Sequence, residues 1–292
     1  VGDWLFVDKE KFPEGLEPVI TKAKNSGLVP GIWWAPFSAA KSSRLAKEHP
    51  DWLLKNEKGK DVCCGSNWGG FYGLDIYNEE VRAYIKKVCR HFIDNLGIGL
   101  FKVDFLYSAI ITERKDKTRG QVMQDAMTFF REVSHGAKIL GCGVPLGSAF
   151  GNVDYCRIGC DVSLSWDDNI FARMAHRERP STKHTILNSI YRRQLNGRAF
   201  LNDPDVFILR SYNEKLGKER KSLLTKVNCL TGGLVFTSDN PNLMDEWQKE
   251  TLNKALELRG AKITKVENDS GVVTITYNGE EKQMSGEIKF YQ

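Results

Sequence analysis

A helix that runs straight into a short apolar strand does most to fix the fold class. Residues 78–97, "NEEVRAYIKKVCRHFIDNLG", put Val81, Tyr84, Ile85, Val88, Phe92 and Leu96 at i, i+3, i+4 spacing, one face of a helix. Asn78 is suited to cap it, Glu79 and Glu80 complement the N-terminal dipole, and Gly97 is suited to end it. The stretch "GLFKVDF" (99–105) follows at once. The same alternation recurs along the chain. Apolar runs at 28–36, 70–76, 99–105, 138–145, 154–160, 199–206 and 233–239 are interleaved with helix candidates at 15–26, 120–135, 181–196, 213–229 and 243–259. Alternating strands and helices predict a parallel sheet covered by helices.

Such a sheet is either open or closed into a barrel. No G-x-G-x-x-G follows a strand and no Walker-type loop occurs, so nucleotide-binding open sheets lose support. Seven strands are visible, one fewer than a (β/α)8 barrel has. The strands near 140 and 157 are joined by about ten residues, too few for an ordinary crossover helix. The expectation is a (β/α)8 TIM barrel with one reduced connection and its first strand missing, over residues 1–261. From 262 the sequence alternates with period two and carries "NG" and "SG" turn signals. Residues 262–292 therefore read as the start of an antiparallel β domain.

Composition narrows the function classes. Of 292 residues 41% are hydrophobic and 27% charged, as in an ordinary soluble globular protein. The net charge of +5 is dispersed, and the basic stretch around "HRERP" and "RRQLNGR" reads as a solvated helix face, not a nucleic-acid site. No apolar run reaches the roughly 18 residues of a membrane span, and no signal peptide is visible. The seven cysteines form no C-x-x-C pair, and Cys156 and Cys160 have no neighbouring histidines. They read as reduced thiols of a cytoplasmic protein with no metal site and no cofactor.

The charged residues inside the strands carry the functional signal. Lys102 and Asp104 alternate with Phe101, Val103 and Phe105, so both share one face of a buried strand. A lone buried ion pair does not repay its desolvation, which favours a functional pair over a structural one. In a barrel, strand C-termini form the active site, with Asp104 nearest the mouth. The pattern recurs: Arg157 and Asp161 share a face, as do Asp203 and Asp205, and Asp75 and Asp239 close two further strands. Five of the seven strands thus end in an aspartate. Trp33 and Trp34 lie on a strand, and Trp68 and Trp166 lie in polar loops beside strand ends. Carboxylates, a lysine and flat aromatic faces suit a sugar. Two carboxylates facing a sugar can hydrolyse a glycoside, and their separation decides the stereochemistry. Lys102 beside Asp104 favours the ionised form that a nucleophile needs. The partly apolar surroundings of Asp161 favour an acid, while Arg157 opposes that, so chemistry alone leaves the two roles open.

Five segments in order, "GDWLFVDKEKFPEGL", "PGIWWAPFSAAKSSRLAKEHPDWLLKN", "FKVDFLYSA", "ILGCGVPLGSAFGNVDYCRIGCDVS" and "FLNDPDVFILR", resemble the α-galactosidases (melibiases) of glycoside hydrolase family 36. The resemblance covers roughly residues 1 to 260. It implies a retaining mechanism on terminal α-linked galactose, in oligosaccharides of the melibiose or raffinose type. Asp104 matches the nucleophile and Asp161 the acid/base. Lys102 and Arg157 match groups that bind galactose hydroxyls, and Trp68, Cys142 and Trp33 match pocket-lining positions. Asp203 joins this substrate-binding set. The implied partner is a small-molecule galactoside, with no nucleic acid or membrane, and oligomerisation stays open. The family often has proline before the acid/base, where this chain has Cys160. Family members also carry an N-terminal β-sandwich and a first barrel strand, after which this chain begins, so the resemblance implies an N-terminally truncated chain. Other readings are an α-galactosyltransferase, an α-N-acetylgalactosaminidase of the same clan, or an inactive galactose-binding fragment.

Overall fold

The computed structural model describes residues 1–167, 174, 179–279 and 285–291. Of the five histidines, His176 lies outside the described residues. The chain divides into two compact units, Val1–Cys156 and Arg157–Gln292.

In the first unit, helix α1 (Glu17–Asn25) leads to strand β1 (Gly31–Trp34), then β2 (Ser38–Ala40), α2 (Arg44–Glu48), β3 (Cys63–Gly65) and β4 (Phe71–Gly73). Helix α3 (Glu79–Arg90), β5 (Leu100–Val103), α4 (Arg119–Val133), β6 (Lys138–Gly141), α5 (Leu146–Ala149) and β7 (Tyr155–Arg157) follow. Strands β1, β5, β6 and β7 lie side by side in that order, all parallel. The predicted helix at 78–97 starts where its sequence says. The Asn78 side chain accepts hydrogen bonds from the Glu80 and Val81 amides, and Val81, Ile85, Val88 and Cys89 are buried. Its last turn, His91–Asn95, widens into a π-helix. Helix α4 opens on a Thr118/Gln121 capping box. The short connection between β6 and β7 holds only the one-turn α5. Trp34, the apolar end of β1, is fully buried and meets Phe92, Phe101 and Phe130 at ring-centroid distances of 5.7, 5.9 and 5.5 Å. Aromatic contacts of this kind dominate core energetics.

The strand expected at 70–76 departs from expectation. The run at 70–76 is not part of the parallel sheet. Its strand β4 lies between β2 and β3 in a separate antiparallel sheet, with Ser38 opposite Gly73 and Ala40 opposite Phe71. Only three residues separate β1 from β2, too few for a crossover, so the chain folds back on itself. Gly73 is required where the backbone crosses the next segment: a Cβ there would lie 2.2 Å from the Ser108 carbonyl oxygen. Asp75 consequently closes no strand of the parallel sheet. Its carboxylate takes the Tyr77 amide and the Arg114 guanidinium at 3.0 and 3.1 Å.

In the second unit, α6 (Thr182–Tyr191), β8 (Leu201–Asp203), β9 (Val206–Phe207), α7 (Gly217–Thr231), β10 (Phe236–Thr237) and α8 (Glu246–Leu256) precede β11 (Lys262–Asp269), β12 (Val272–Asn278) and β13 (Gly286–Tyr291). Strands β9 and β10 pair in parallel. The last three strands form an antiparallel sheet in the order β11-β12-β13. That sheet shares one apolar core with the helices: Ile186 and Ile190 of α6 and Leu224, Val227 and Leu230 of α7 belong to the same cluster as Val273, Ile275, Ile288 and Phe290. All seven cysteines are free thiols. Among the described residues, no helix is long and apolar enough to cross a membrane.

Candidate active site

Strand β5 alternates as the sequence predicts. Phe101 and Val103 are fully buried, while Lys102 and Asp104 are half-buried on the other side. The strand ends at Val103, and Asp104 is the first residue beyond it, its amide held by the Trp34 carbonyl at 3.0 Å. Phe105 then leaves the strand with φ 53°, a left-handed conformation that is strained for a bulky side chain. Gly143, itself at φ +64°, accommodates this turn, since a Cβ there would lie 3.3 Å from the Phe105 nitrogen. The turn directs the Phe105 amide onto Asp104 Oδ1 at 2.8 Å. The indole nitrogen of Trp33 donates to Asp104 Oδ2 at 3.0 Å. Trp33 stands opposite Lys102 in the β1–β5 register. Among the described residues, no ion pair joins Lys102 to Asp104, so the two charges are not a closed structural pair.

An aromatic wall surrounds this carboxylate. Trp68, held at φ 55° in the loop between β3 and β4, lies 6.2 Å from the Trp33 ring and 4.8 Å from Phe105. Trp4 packs edge-on against Trp33 at 5.9 Å. Trp33 and Trp68 remain 37% and 39% exposed, so parts of both rings are open to a ligand. Cys142, just after β6, is buried and donates its amide to the Val103 carbonyl at 2.8 Å. Five predicted residues (Trp33, Trp68, Lys102, Asp104 and Cys142) therefore lie at or near the C-terminal ends of β1, β5 and β6.

The second unit holds a different cluster. Arg157 ends β7 with its side chain only 5% exposed and meets three carboxylates. Its Nε lies 3.2 Å from Asp203, Nη2 2.7 Å from Asp205 and Nη1 2.8 Å from Asp161. Asp161 is the open member, 61% exposed. Asp203 is fully buried, and its other oxygen accepts the Asp205 amide at 2.8 Å. It therefore supports Arg157 from behind and does not face open space. Asp205 also accepts the Val162 and Val206 amides. Burial pushes its carboxyl above the usual range, with the Arg157 guanidinium opposing the shift. Trp166, expected beside the sugar, packs against the apolar core of this unit with Arg220 over its ring at 4.7 Å. Asp239 is likewise engaged with Arg210 and the Leu209 amide.

Two features escaped the sequence. Donation by Trp33 to Asp104 depends on which way an indole points, and no pattern encodes that. The Phe105 amide is backbone and carries no residue signal at all. Among the described residues, no group of His, Cys, Asp and Glu is arranged to hold a metal ion.

Comparison with known proteins finds similarity to α-galactosidases. Residues 1–134 match the Melibiase family model. α-Galactosidase Mel36A of Lactobacillus acidophilus is 35% identical over 104 residues, which is 36% of this chain and 14% of that protein. α-Galactosidase 2 of Pediococcus pentosaceus is 42% identical over 104 residues, again 36% and 14%. The Thermus thermophilus α-galactosidase TtGalA, solved with stachyose, superposes with TM-score 0.76 at 30% identity, covering 84% of this chain and 53% of that one. Its complex with p-nitrophenyl α-D-galactopyranoside superposes with TM-score 0.80 at 28% identity, covering 94% and 55%. The chain thus spans about half the length of the Thermus enzyme, and its matches cover only 14% of each of these two curated relatives. These relatives and neighbours are glycoside hydrolases of the α-galactosidase type.

Proposed function

We propose that this relative of the melibiases forms part of the (β/α)8 barrel of a retaining α-galactosidase, with Asp104 as nucleophile and Asp161 as acid/base. The observation that carries the reading is the clamped carboxylate of Asp104 at the end of β5, beside Lys102 and two partly open tryptophans. Residues 1–261 are assigned to the barrel and 262–292 to a β domain. Seven free thiols fit a reducing, cytoplasmic location.

In the first step an Asp104 oxygen attacks the anomeric carbon while the C1–O bond to the leaving group breaks. Asp161, the most exposed carboxylate in contact with Arg157, gives its proton to the departing oxygen. A galactosyl–Asp104 ester results. In the second step Asp161 takes a proton from water, whose oxygen displaces Asp104 from C1. Two inversions restore the α-configuration. Lys102 and Arg157 bind sugar hydroxyls, and the open face of Trp68 takes the C–H face of the ring, while Trp33 lines the pocket beside Asp104. The Thermus enzyme was solved with stachyose and with p-nitrophenyl α-D-galactopyranoside, which supports terminal α-galactosides as the substrate class.

The test uses the protein as its full gene encodes it, with p-nitrophenyl α-galactoside. Asp104→Ala is expected to lower kcat by roughly 10⁴-fold or more. NMR of the wild-type reaction is expected to show α-galactose before mutarotation. An unchanged kcat removes Asp104 from the chemistry, and β-galactose appearing first removes retention.

A further inference from the structure

The side-chain nitrogen of a partly exposed tryptophan normally faces water. That of Trp33 does not: although 37% of the residue is exposed, its N–H is directed at Asp104 Oδ2. The ring is held in place from two sides, by Trp4 at 5.9 Å and 64° and by Trp68 at 6.2 Å and 57°. Trp4 is itself anchored, its amide donating to the Tyr84 hydroxyl at 3.2 Å. On the other oxygen, the strained turn at Phe105 presents a backbone amide. The two donors act on different oxygens of one carboxylate. Rotation about its Cβ–Cγ bond breaks both hydrogen bonds, so the plane of the carboxylate is fixed in the ground state.

We infer that Trp33 is a positioning residue, which acts through its indole N–H on Asp104 to hold one carboxylate oxygen in line with the anomeric carbon. This rests on the reading of Asp104 as nucleophile and deepens it. A hydrogen bond to a charged group is strong enough to set such a torsion, and misplacement of a reacting atom by about 1 Å can reduce a rate by 10²-fold. The aromatic wall then does more than line the pocket. It carries a rigid connection from Trp4 to the attacking oxygen.

Trp33→Phe keeps an aromatic ring and loses the donor, while Trp33→His keeps a ring N–H. In the protein as its full gene encodes it, Trp33→Phe is expected to lower kcat on an aryl α-galactoside by roughly 10- to 100-fold with KM within about threefold. Trp33→His is expected to recover a substantial part of the loss. The decisive arm is the Asp104→Gly background with added azide. There azide forms the new bond to C1 as the aryloxide leaves, giving β-galactosyl azide without Asp104. In that background Trp33→Phe is expected to change the rate by less than about threefold, because the group it orients is gone.

An equal loss with and without Asp104 means that Trp33 acts on the sugar, and overturns the inference while leaving the nucleophile intact. An unchanged kcat in Trp33→Phe overturns it as well. Wild-type turnover by Asp104→Gly without azide overturns the nucleophile reading itself, and the inference with it.

Discussion

Replacing Arg157 separates buried from exposed electrostatics within one side chain. Its guanidinium meets Asp203, fully buried, and Asp205, whose side chain is 9% exposed, at 3.2 and 2.7 Å. The third partner, Asp161, is 61% exposed at 2.8 Å. Arg157→Met leaves two buried carboxylates without their shared cation, and stranding a buried charge in this way costs about 3–5 kcal/mol. With a urea m-value near 2 kcal/mol/M, the unfolding midpoint falls by roughly 1.5–2.5 M. Asp161→Asn removes only the solvent-facing contact, and pairs of that kind contribute about 0–1 kcal/mol. Urea titrations of wild type and both variants, followed by circular dichroism, measure the contrast. A stability loss below about 1 kcal/mol in Arg157→Met refutes the assignment of Arg157 as the central cation of a buried cluster. So does an Asp161→Asn variant as damaged as Arg157→Met.

Asp205 gives the cluster a pH signature. Burial raises its folded-state value above the unfolded one, so its contribution to stability is complete below the unfolded value and declines as pH rises through the folded value. Wild type is therefore expected to lose stability relative to Asp205→Asn between about pH 4 and pH 7, and urea midpoints at the two pH values check the sign. Asp161→Ala is expected to depress turnover of substrates with poor leaving groups by roughly 10²- to 10⁴-fold, and of activated aryl galactosides far less; equal losses on both contradict an acid role.

The parts of this fold that were legible in the sequence are those set by local chemistry. Helix α3 was readable because Asn78, Glu79 and Glu80 mark its start and the apolar residues repeat at helical spacing. Strand β5 was readable because two charges interrupt an apolar run with period two, and that period also singled out Lys102 and Asp104. Period two does not say which neighbour a strand takes. Nothing in the period of the run at 70–76 therefore tells that it leaves the parallel sheet, where the three-residue link after β1 folds β2 back beside it. Aspartates at strand ends also look alike in sequence. Only burial separates Asp161, which reaches solvent, from Asp203, which is closed in behind Arg157, and burial depends on what packs over each. Trp166 and Trp68 occupy similar polar loops, yet one completes a core and the other stays half open.

The three-stranded sheet at the C-terminus does not behave as a detachable module. Because Val273, Ile275, Ile288 and Phe290 interleave with the residues of α6 and α7, a cut after residue 261 uncovers the greasy undersides of both helices. Grafting or exchange between homologues must move the hairpin strands together with the two helices beneath them, and a fragment ending at 261 is a candidate for inclusion bodies.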